Sequence, residues 1–490
     1  MRHSIMLARI MKFLNRLDEM ERLDRLAARQ GGGLVIVYGR RRIGKTRLLL
    51  EWSRRHRGLY TVADQSSADI QRRYFAQSVA ERLPGFGDVE YPDWRTLLSR
   101  LARDAEAAAW RGPLIVDELP YLVSVSPELP SLLQRWIDHE AENAQLIVAL
   151  AGSSQRMMQG LVLSRDAPLF GRAHEILDLG PIDPSFLAEA FSAGPGRELV
   201  ELYTAWGGIP RYWELAAEVP NGVFAQIESL VLDRLGPLHS EPDRVLLEDI
   251  PPALELRPVL DAIGAGAHRI SEIGARLGRA TTSMTRPLDR LVGMGLVRRE
   301  IPFGETEKES RRGLYKIDDP FFRLWFRVVA PHRGPLASGT RQTRRAWLMR
   351  FWEDLAARAW EDLCRARIAL LGSGDPLGSR GPWKPAARWW KGNDPEWDLV
   401  SESLDGRRLL LGEVKWSAKP FGGLSGARAL ARARADLAAR LAPALPARFD
   451  RHETVRALFV PELESGGEPD GREPWVITAS DLFQPPSESS

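Results

Sequence analysis

The sequence has 490 residues, of which 44% are hydrophobic and 27% charged, a composition typical of a soluble globular protein of about three domains. No apolar run approaches the ~20 residues of a membrane helix, and the N-terminal stretch has no small-residue cleavage site, so we expect a cytoplasmic protein. The net charge of +3 argues against a surface-wide nucleic-acid-binding field, and the single cysteine, Cys364, excludes an internal disulfide.

The first part of the chain alternates between strand-like and helical segments. A glycine run precedes the apolar LVIVY at 34–38, and further apolar runs follow at 113–119 and 146–150, with helical stretches between them. Such alternation is typical of a parallel sheet covered by helices. The sequence therefore predicts an α/β domain over residues 1–180.

Residues 39–46, GRRRIGKT, lie between the first strand and a helical segment. The two glycines permit a loop whose N–H groups point at phosphate, the lysine reaches the β and γ phosphates, and the threonine hydroxyl is a ligand for Mg²⁺. The motif predicts a site for ATP and Mg²⁺. Its predicted nucleotide-binding residues are Gly39, Arg40, Arg41, Arg42, Ile43, Gly44, Lys45, Thr46 and Arg47.

Two acidic residues follow the strand-like PLIV and are predicted to complete the ATPase site. Asp117 is expected to hold Mg²⁺ through water, and Glu118 to orient the attacking water. Either Ser153 or Ser154, at the end of LIVALAGSS, is a candidate sensor of the γ-phosphate. Arg172 is either an arginine finger or one half of a surface salt bridge.

The rest of the chain changes character several times. Residues 181–250 look helical, apart from the aromatic and glycine cluster WGGIPRYW at 206–213, and are predicted to form a lid. In 251–330 three helical segments precede two strand-like segments, which is the order of a winged helix-turn-helix. The Pro-, Gly- and Arg-rich stretch 331–345 is predicted to be a linker. A further domain is expected over 346–490.

Several motifs of the first two thirds of the chain together resemble the archaeal-type ATPase family, among the STAND and AAA+ P-loop NTPases. These motifs are FLNR at 13–16, GRRRIGKT, LIVDEL, AGSS, PLFGR and WGGIPRYW. The resemblance covers roughly residues 10–330 and implies a P-loop NTPase sheet with a helical lid. It also implies that Gly208 and Pro210, on the lid, contact the nucleotide.

The third helical segment of 251–330 is a candidate recognition helix. Its apolar residues are expected to face the core, and they are Met284, Leu288, Leu291 and Val292. Its polar residues would then contact DNA phosphates and base edges, and they are Thr282, Ser283, Arg286 and Arg290. The wing loop mixes charges of both signs, so a protein-docking module remains open as the alternative.

A hairpin signal occurs in EWDLVSESLDGRRLLLGEVKW. If Asp405-Gly406 forms the turn, Asp398 lies directly opposite Glu413, with Cβ atoms about 4.5–5.5 Å apart. Two carboxylates in this position repel each other unless a cation lies between them. Lys415 is two residues beyond Glu413 and therefore on the same face of the strand.

This Asp followed by Glu-x-Lys resembles the PD-(D/E)XK nuclease superfamily. The resemblance implies a restriction-endonuclease-like α/β domain in which Asp398 and Glu413 bind a metal and Lys415 acts on the attacking water. It also implies a helical glutamate, which is Glu361, with Glu353 as the second choice. The sequence departs from the superfamily in having no proline directly before the aspartate.

The predicted function is an ATP-dependent, DNA-associated protein whose ATPase gates a metal-dependent nuclease. Two alternatives remain at this stage, a signalling or scaffold ATPase with an inactive nuclease-like domain and a nucleotide-switched winged-helix regulator. DNA is the expected partner, and a homo-oligomer is possible.

Overall fold

The computed structural model describes most of the chain in two compact units. One unit contains residues 12–182 and 209–211, and the other contains 183–208 and 212–490. The described residues are 15–162, 165–194, 196–249, 256–308, 310–372, 374–375, 377–392, 394–417, 421, 423–464 and 473–483. Among the helices of these residues, none has the length and apolar character of a membrane span. Phe13 and Leu14 of the FLNR motif lie outside the described residues.

The first unit is built on a five-stranded sheet in the order β2-β3-β4-β1-β5. Its strands are β1 (Gly33–Tyr38), β2 (Leu59–Val62), β3 (Leu114–Asp117), β4 (Ile147–Gly152) and β5 (Glu175–Asp178). All neighbouring strands are parallel. Every residue of β1 and β4 is buried, because helices cover both faces of a sheet of this kind. The predicted α/β P-loop NTPase fold with a parallel sheet is confirmed.

The helices of this unit lie mostly between the strands. They are α1 (Leu17–Ala28), α2 (Lys45–Arg55), α3 (Ala68–Ala80), α4 (Trp94–Ala107), α5 (Leu119–Val125), α6 (Leu129–Trp136) and α7 (Gln155–Val162). A 3₁₀ turn at Phe86–Asp88 and a π turn at Ile137–Ala141 complete the unit. One core cluster of this unit includes Phe75, Trp94 and Trp136.

The second unit is helical in its first half. Its helices there are α8 (Leu187–Phe191), α9 (Arg197–Trp206), α10 (Pro210–Ala217, which starts in the first unit), α11 (Gly222–Ile227), α12 (Glu241–Asp249), α13 (Arg257–Gly264), α14 (Ile270–Arg276) and α15 (Thr285–Gly293). Short 3₁₀ or π turns occupy Pro184–Phe186, Glu228–Leu232 and Thr281–Met284. The helical character predicted for the lid is therefore observed, and the division of this unit into lid, winged helix and nuclease-like domain stays a prediction.

Helices α13 to α15 are followed by an antiparallel pair of strands, β6 (Val297–Glu300) and β7 (Leu314–Ile317). This is the element order that the sequence predicted for a winged helix. Three of the four apolar residues predicted to face the core are fully buried, and they are Met284, Leu288 and Leu291. The prediction was wrong for Val292, which is 39% exposed because it lies in the last turn of a helix that ends at Gly293.

The stretch 331–345, predicted to be a linker, is mostly helical rather than a loop, and its role as a linker stays a prediction. It contains α17 (Arg333–Ser338) and the start of α18 (Arg341–Arg367), which follow α16 (Pro320–Leu324) and the turns Trp325–Val329 and Ala330–His332. Pro335 is tolerated because it lies in the first turn of α17, where its missing N–H breaks no helical hydrogen bond. The Thr340 side chain caps α18 by accepting from the Thr343 N–H at 3.2 Å. The predicted start of the third domain at 346 lies within α18 and stays a prediction.

The C-terminal part contains a mixed five-stranded sheet in the order β12-β11-β10-β9-β8. Its strands are β8 (Ala387–Trp389), β9 (Trp397–Glu402), β10 (Arg408–Val414), β11 (Glu453–Phe459) and β12 (Trp475–Ile477). Helix α18 packs against β9 and β10. The other elements are α19 (Gly423–Ala439), α20 (Ala479–Leu482) and 3₁₀ turns at Ile368–Leu370, Gly378–Arg380 and Ala447–Phe449.

Candidate functional site

The loop between β1 and α2 has the backbone conformation of a phosphate cradle. Gly39 has φ +150° and Gly44 has φ +95°, and Arg42 also adopts a positive φ of 66°. A Cβ atom at Gly39 would lie 2.5 Å from the Leu179 carbonyl oxygen, so a side chain does not fit there. Only glycine adopts such conformations at little cost. The two glycines of the motif thus have the structural roles that the sequence predicted.

Lys45 and Thr46 are the first two residues of α2, next to the phosphate loop. The buried Lys45 Nζ donates to the carbonyl oxygens of Gly39 and Arg40 at 2.8 and 3.2 Å, so it lies over the loop. The Thr46 hydroxyl donates to Asp117 Oδ2 at 2.8 Å. A hydroxyl and a carboxylate that meet at the end of a parallel strand are suitable ligands for Mg²⁺. These residues fit the cofactor that the motif implies.

Asp117 is almost fully buried, with 1% of its surface exposed, and a neighbouring strand provides a partner that the sequence did not reveal. The Tyr60 hydroxyl donates to Asp117 Oδ2 at 2.7 Å. Burial and the charge of Asp117 both raise the pKa of Tyr60, so the phenol keeps its proton and remains a donor. The signal that would have found Tyr60 is the pairing of β2 with β3, because Val62 lies beside Asp117 in the sheet.

Glu118 directly follows the strand and turns away from Asp117. Its backbone has φ +54°, an uncommon conformation for a residue with a side chain. The Ser153 hydroxyl donates to Glu118 Oε1 at 2.6 Å, and the Ser153 N–H donates to Oε2 at 3.2 Å. Ser153 thereby fixes the carboxylate that is expected to orient water. The sensing of the γ-phosphate by Ser153 or Ser154 stays a prediction.

Arg16 contacts the phosphate loop, and no role was predicted for it beyond its place in FLNR. Its Nη2 donates to the carbonyl oxygens of Ile43 at 3.0 Å and Gly180 at 2.6 Å. Nη1 forms an ion pair with Glu19 at 2.8 Å. This buried arginine therefore ties the phosphate loop to the segment that follows β5.

Arg172 forms the salt bridge that was the alternative to an arginine finger. Its Nε and Nη2 donate to the two carboxylate oxygens of Asp138 at 2.7 and 2.8 Å. Its Nη1 donates to the carbonyl oxygens of Pro168 and Phe170, both at 3.2 Å. The pair raises the pKa of Arg172. A role as a finger would require this two-point contact to break and stays a prediction.

The segment Ile209–Arg211 belongs to the first unit, although the residues on both sides of it belong to the second unit. Pro210 Cγ lies 3.6 Å from the place that a Cβ of Gly44 would occupy, so the proline lies against the phosphate loop. This position suits the nucleotide contact that the resemblance implies. Gly208 is buried in the other unit, and its predicted contact is not tested.

The C-terminal hairpin has the register that the Asp405-Gly406 turn predicted. Leu411 pairs with Val400 and Gly412 with Leu399, so the next position along places Glu413 opposite Asp398. Asp398 Oδ2 accepts from the Val414 N–H at 2.9 Å, across the two strands.

The charges of two other carboxylates act on Asp398 at this place. Burial, followed by the charges of Glu413 and Glu361, raises the pKa of Asp398 to about 6. Glu361 lies on α18, where Arg365 Nη1 approaches its Oε2 at 3.4 Å and the Asp398 carbonyl oxygen at 2.8 Å. Glu353, the second choice, instead accepts from Trp416 Nε1 at 2.7 Å. Glu361 is thus the helical glutamate that lies near the pair.

Glu413 has two cationic partners. Lys415 Nζ lies 2.6 Å from Oε1, as expected of a lysine on the same face. Arg440, just after α19, donates to Oε2 at 2.5 Å, and its guanidinium lies 4.5 Å from the centre of the Trp397 ring. The sequence did not reveal Arg440, because 27 residues separate it from Glu413. One of the two carboxylates, Glu413, is therefore paired with both a lysine and an arginine.

The described residues contain no set of three or more histidine, cysteine or acidic side chains arranged to hold a metal ion. A metal at this place would have to use Asp398 and Glu413, together with water and substrate oxygens. Magnesium is commonly held in this manner, by one or two carboxylates and the phosphates of its substrate. The two side chains fit such an ion if Arg440 moves away from Glu413.

The residues predicted to contact DNA lie on the surface of the second unit. Thr282, Ser283 and Arg286 are exposed, and Arg290 is half-buried. The Ser283 hydroxyl donates to the Ala280 carbonyl oxygen at 2.7 Å. The polar side of the predicted recognition helix is therefore accessible, and its contact with DNA stays a prediction.

Two protein families match separate parts of the chain. Residues 13–215 match an ATPase domain predominantly from Archaea, and residues 325–427 match archaeal and bacterial proteins of unknown function. An uncharacterized protein of Methanocaldococcus jannaschii is 27% identical over 408 residues, which are 82% of this chain and 87% of that protein. The nuclease-like resemblance stays a prediction, because the C-terminal match is to proteins without a known function.

Two solved structures are similar to larger parts of the chain. A Walker-type ATPase of Pyrococcus abyssi is 20% identical and covers 64% of this chain and 96% of its own, with a TM-score of 0.47. The ORC2 protein of Aeropyrum pernix is 15% identical and covers 70% of this chain and 96% of its own, with a TM-score of 0.38.

Proposed function

We propose that the chain hydrolyses ATP to control metal-dependent DNA cleavage by its C-terminal domain, because residues 13–215 match an ATPase domain predominantly from Archaea. The phosphate loop, Lys45, Thr46 and Asp117 would hold ATP and Mg²⁺. Glu118, held by Ser153, would orient the attacking water.

The observation that carries the C-terminal part of the proposal is the register of the hairpin. It places Asp398 and Glu413 opposite each other on the face that also holds Lys415. A bound divalent ion would stabilise charge on the scissile phosphate and lower the pKa of a water. Asp398 and Glu413 would hold that ion, and Lys415 would hold or move a proton at the attacking water. Glu361 would assist from α18.

Partners of Glu413 favour a second candidate function. Lys415 and Arg440 together neutralise Glu413 without a metal, and such a site is also what an inactive nuclease-like domain would keep. The chain would then be a nucleotide-switched scaffold or regulator that binds a partner through its second unit.

A cleavage assay separates these two functions. The full chain is incubated with supercoiled plasmid and Mg²⁺ or Mn²⁺, with and without ATP, beside Asp398→Ala. We expect nicking by the parent protein that the variant loses while its ATPase rate is unchanged. DNA binding without nicking in any combination of metal and nucleotide would favour the scaffold. Equal nicking by parent and variant would reveal a contaminant and refute the assignment of Asp398.

A further inference from the structure

A cavity of about 150 Å³ lies within the second unit. Its walls come from the end of α13, from β6 and β7, from residues 323–327 and from α18. At about 30 Å³ for each water, the space corresponds to roughly five waters. It is therefore large enough for a small polar ligand.

The walls of this cavity carry an excess of positive charge. Six lining side chains are cationic, and they are Arg298, Lys316, Arg323, Arg327, Arg358 and Arg365. Three lining side chains are carboxylates, and they are Asp354, Glu361 and Asp362. Buried or half-buried charges of one sign attract an ion of the other sign, because the surroundings screen them less than water does.

One carboxylate, Asp362, serves three of the arginines. Arg298, Arg323 and Arg365 approach its oxygens at 2.5, 2.6 and 2.6 Å. Their charges hold the pKa of Asp362 well below its usual range, although burial acts in the opposite direction. The three guanidinium groups are thus fixed in place around Asp362, while Asp318 also pairs with Arg298 at 2.9 Å and Glu361 with Arg365 at 3.4 Å.

Arg327 and Arg358 complete the cationic wall and are less firmly held. Arg327 Nε is buried and has no hydrogen-bond partner among the described residues, and its guanidinium lies 5.0 Å from the centre of the Phe351 ring. Arg358 pairs at 3.2 Å with Asp354, but both side chains are more than 40% exposed. An exposed pair of this kind contributes little free energy. The Arg358 guanidinium can therefore turn to a ligand at low cost, and Arg327 has an unused donor for one.

His268 lines the same cavity, and the charges of the cavity wall affect its pKa. Its Nδ1 lies 3.1 Å from the Tyr315 carbonyl oxygen, which can only accept, so this nitrogen carries the proton. Nε2 then faces Arg358 Nη1 at 3.5 Å. Burial lowers the pKa of His268, and the charges of Arg358 and Lys316 lower it further, against the hydrogen bond to Tyr315.

We propose that this cavity binds a tetrahedral oxyanion, a phosphate group, through Arg327 and Arg358, inside the positive field of the arginines that surround Asp362. Guanidinium groups bind such oxyanions with charge-assisted, often two-point hydrogen bonds. The phosphate is either a free ion or the end of a larger molecule. The site is separate from the ATP loop and does not depend on nuclease activity.

The test follows the ring protons of His268 by NMR in the full chain, on a Lys45→Ala background that removes phosphate binding at the ATP loop. Histidine signals are assigned with His268→Gln. Inorganic phosphate should raise the pKa of His268 by about one pH unit, because an opposite charge arrives within a few ångströms. Arg327→Gln and Arg358→Gln should each weaken phosphate binding about tenfold, the effect of losing one charge-assisted hydrogen bond.

Arg350→Gln is the matched control, since this exposed arginine lies on α18, the helix of Arg358, but outside the cavity. It should bind phosphate like the parent. A 5′-phosphorylated oligonucleotide and its unphosphorylated form identify the source of the phosphate: a shift with the first alone indicates a strand end, and a shift with inorganic phosphate alone indicates a free ion. No change at His268 with any probe, or equal binding by all three arginine variants, would overturn the proposal.

Discussion

At the scale of single residues, the environment gives two neighbouring carboxylates different roles. Asp117 ends a buried strand and accepts from Thr46 and Tyr60. Glu118 adopts a left-handed backbone conformation, which turns its carboxylate to Ser153. Such a conformation costs roughly 1–3 kcal/mol for a residue with a side chain. Strain of this size at a nucleotide site is consistent with the separation of a metal-holding from a water-orienting carboxylate.

Substitutions at Lys45 and Glu118 should separate ATP binding from hydrolysis. Lys45→Ala should lose nucleotide binding, because its ammonium lies over the loop that receives the phosphates. Glu118→Gln should bind ATP with the parent's affinity and hydrolyse it at least about a hundredfold more slowly, since an amide cannot act on the water's proton. Fluorescent-nucleotide titration and phosphate release measure the two properties.

Arg54→Ala is the control for both variants, because Arg54 lies on the same helix and pairs with Glu51 on the surface. It should leave binding and turnover unchanged. If Lys45→Ala hydrolyses ATP at the parent's rate, the assignment of the phosphate loop is incorrect.

At the scale of elements, the features that could be predicted from the sequence are those that a local pattern of residues determines. The turn Asp405-Gly406 and the alternation around it were enough for the register of β9 and β10. The partner Arg440 was not predictable, because only the path of α19 brings it to Glu413. Tyr60 was missed for the same reason, since strand order decides which side chains meet at the end of a sheet. The helical structure of 331–345 was not predictable from its composition, because it goes with the burial of Leu336 in the fold, which is a tertiary effect.

Glu300 on β6 should make stability depend on acid pH. Although burial acts in the opposite direction, the charges of Lys316, Arg365 and Arg298 hold its pKa at about 2. A carboxylate with a lowered pKa stabilises the folded state above its unfolded pKa of about 4.3. This contribution, of about 3 kcal/mol at most, should disappear as the pH falls from about 4.5 to about 2.

Glu300→Gln tests this pH dependence. The variant should lose about 3–5 kcal/mol at pH 7, because Lys316 stays buried without its partner, and its melting temperature should change less than the parent's between pH 5 and 3. Glu307→Gln, in the loop between β6 and β7, is the control and should behave like the parent. Parallel pH profiles for parent and Glu300→Gln would contradict the assignment.

Helix α15 should contribute phosphate contacts if the second unit binds DNA. Arg286 and Arg290 lie on its accessible side, so each alanine variant should reduce the slope of log affinity against log salt by about one. Fluorescence anisotropy with a labelled duplex at several salt concentrations gives this slope. Arg103→Ala, an exposed position on α4, should have no effect. An unchanged slope in the double variant would favour the protein-docking alternative.

At the scale of the whole molecule, the chain itself connects the two candidate sites. It passes between the units at 182–183, 208–209 and 211–212, so that Ile209–Arg211 is a short piece of the ATPase unit with the other unit on both sides. Pro210 lies against Gly44 of the phosphate loop. The chain of the second unit is therefore covalently continuous, on both sides, with a segment that lies against the phosphate loop. This connection supports the proposed control of the C-terminal domain by ATP.

Substitutions at Asp398 and Lys415 should distinguish metal binding from DNA cleavage at the C-terminal site. Mg²⁺ or Mn²⁺ should raise the melting temperature of the full chain at constant nucleotide, because a ligand of the folded state stabilises it by mass action. Asp398→Ala should lose this increase together with nicking. Lys415→Ala keeps both carboxylates and should lose only nicking. Equal loss of both properties in Lys415→Ala would contradict its role at the attacking water.

The same two ATP-site variants should control cleavage in opposite ways if the ATPase gates the nuclease. Glu118→Gln, which retains ATP, should nick plasmid at least as fast as the parent when ATP and Mg²⁺ are present. Lys45→Ala, which cannot bind ATP, should nick at least about tenfold more slowly, a loss of roughly 1.4 kcal/mol or more in transition-state stabilisation. Both variants keep Asp398, Glu413 and Lys415, so the difference between them reports nucleotide occupancy alone.

Pro210→Ala should nick plasmid at a rate between those of the two variants. Its ATP hydrolysis should be near normal and its nicking should depend less on ATP, because alanine lacks the ring atoms that lie against the phosphate loop. Identical nicking by Glu118→Gln and Lys45→Ala would show that the two sites act independently, whatever their separate activities.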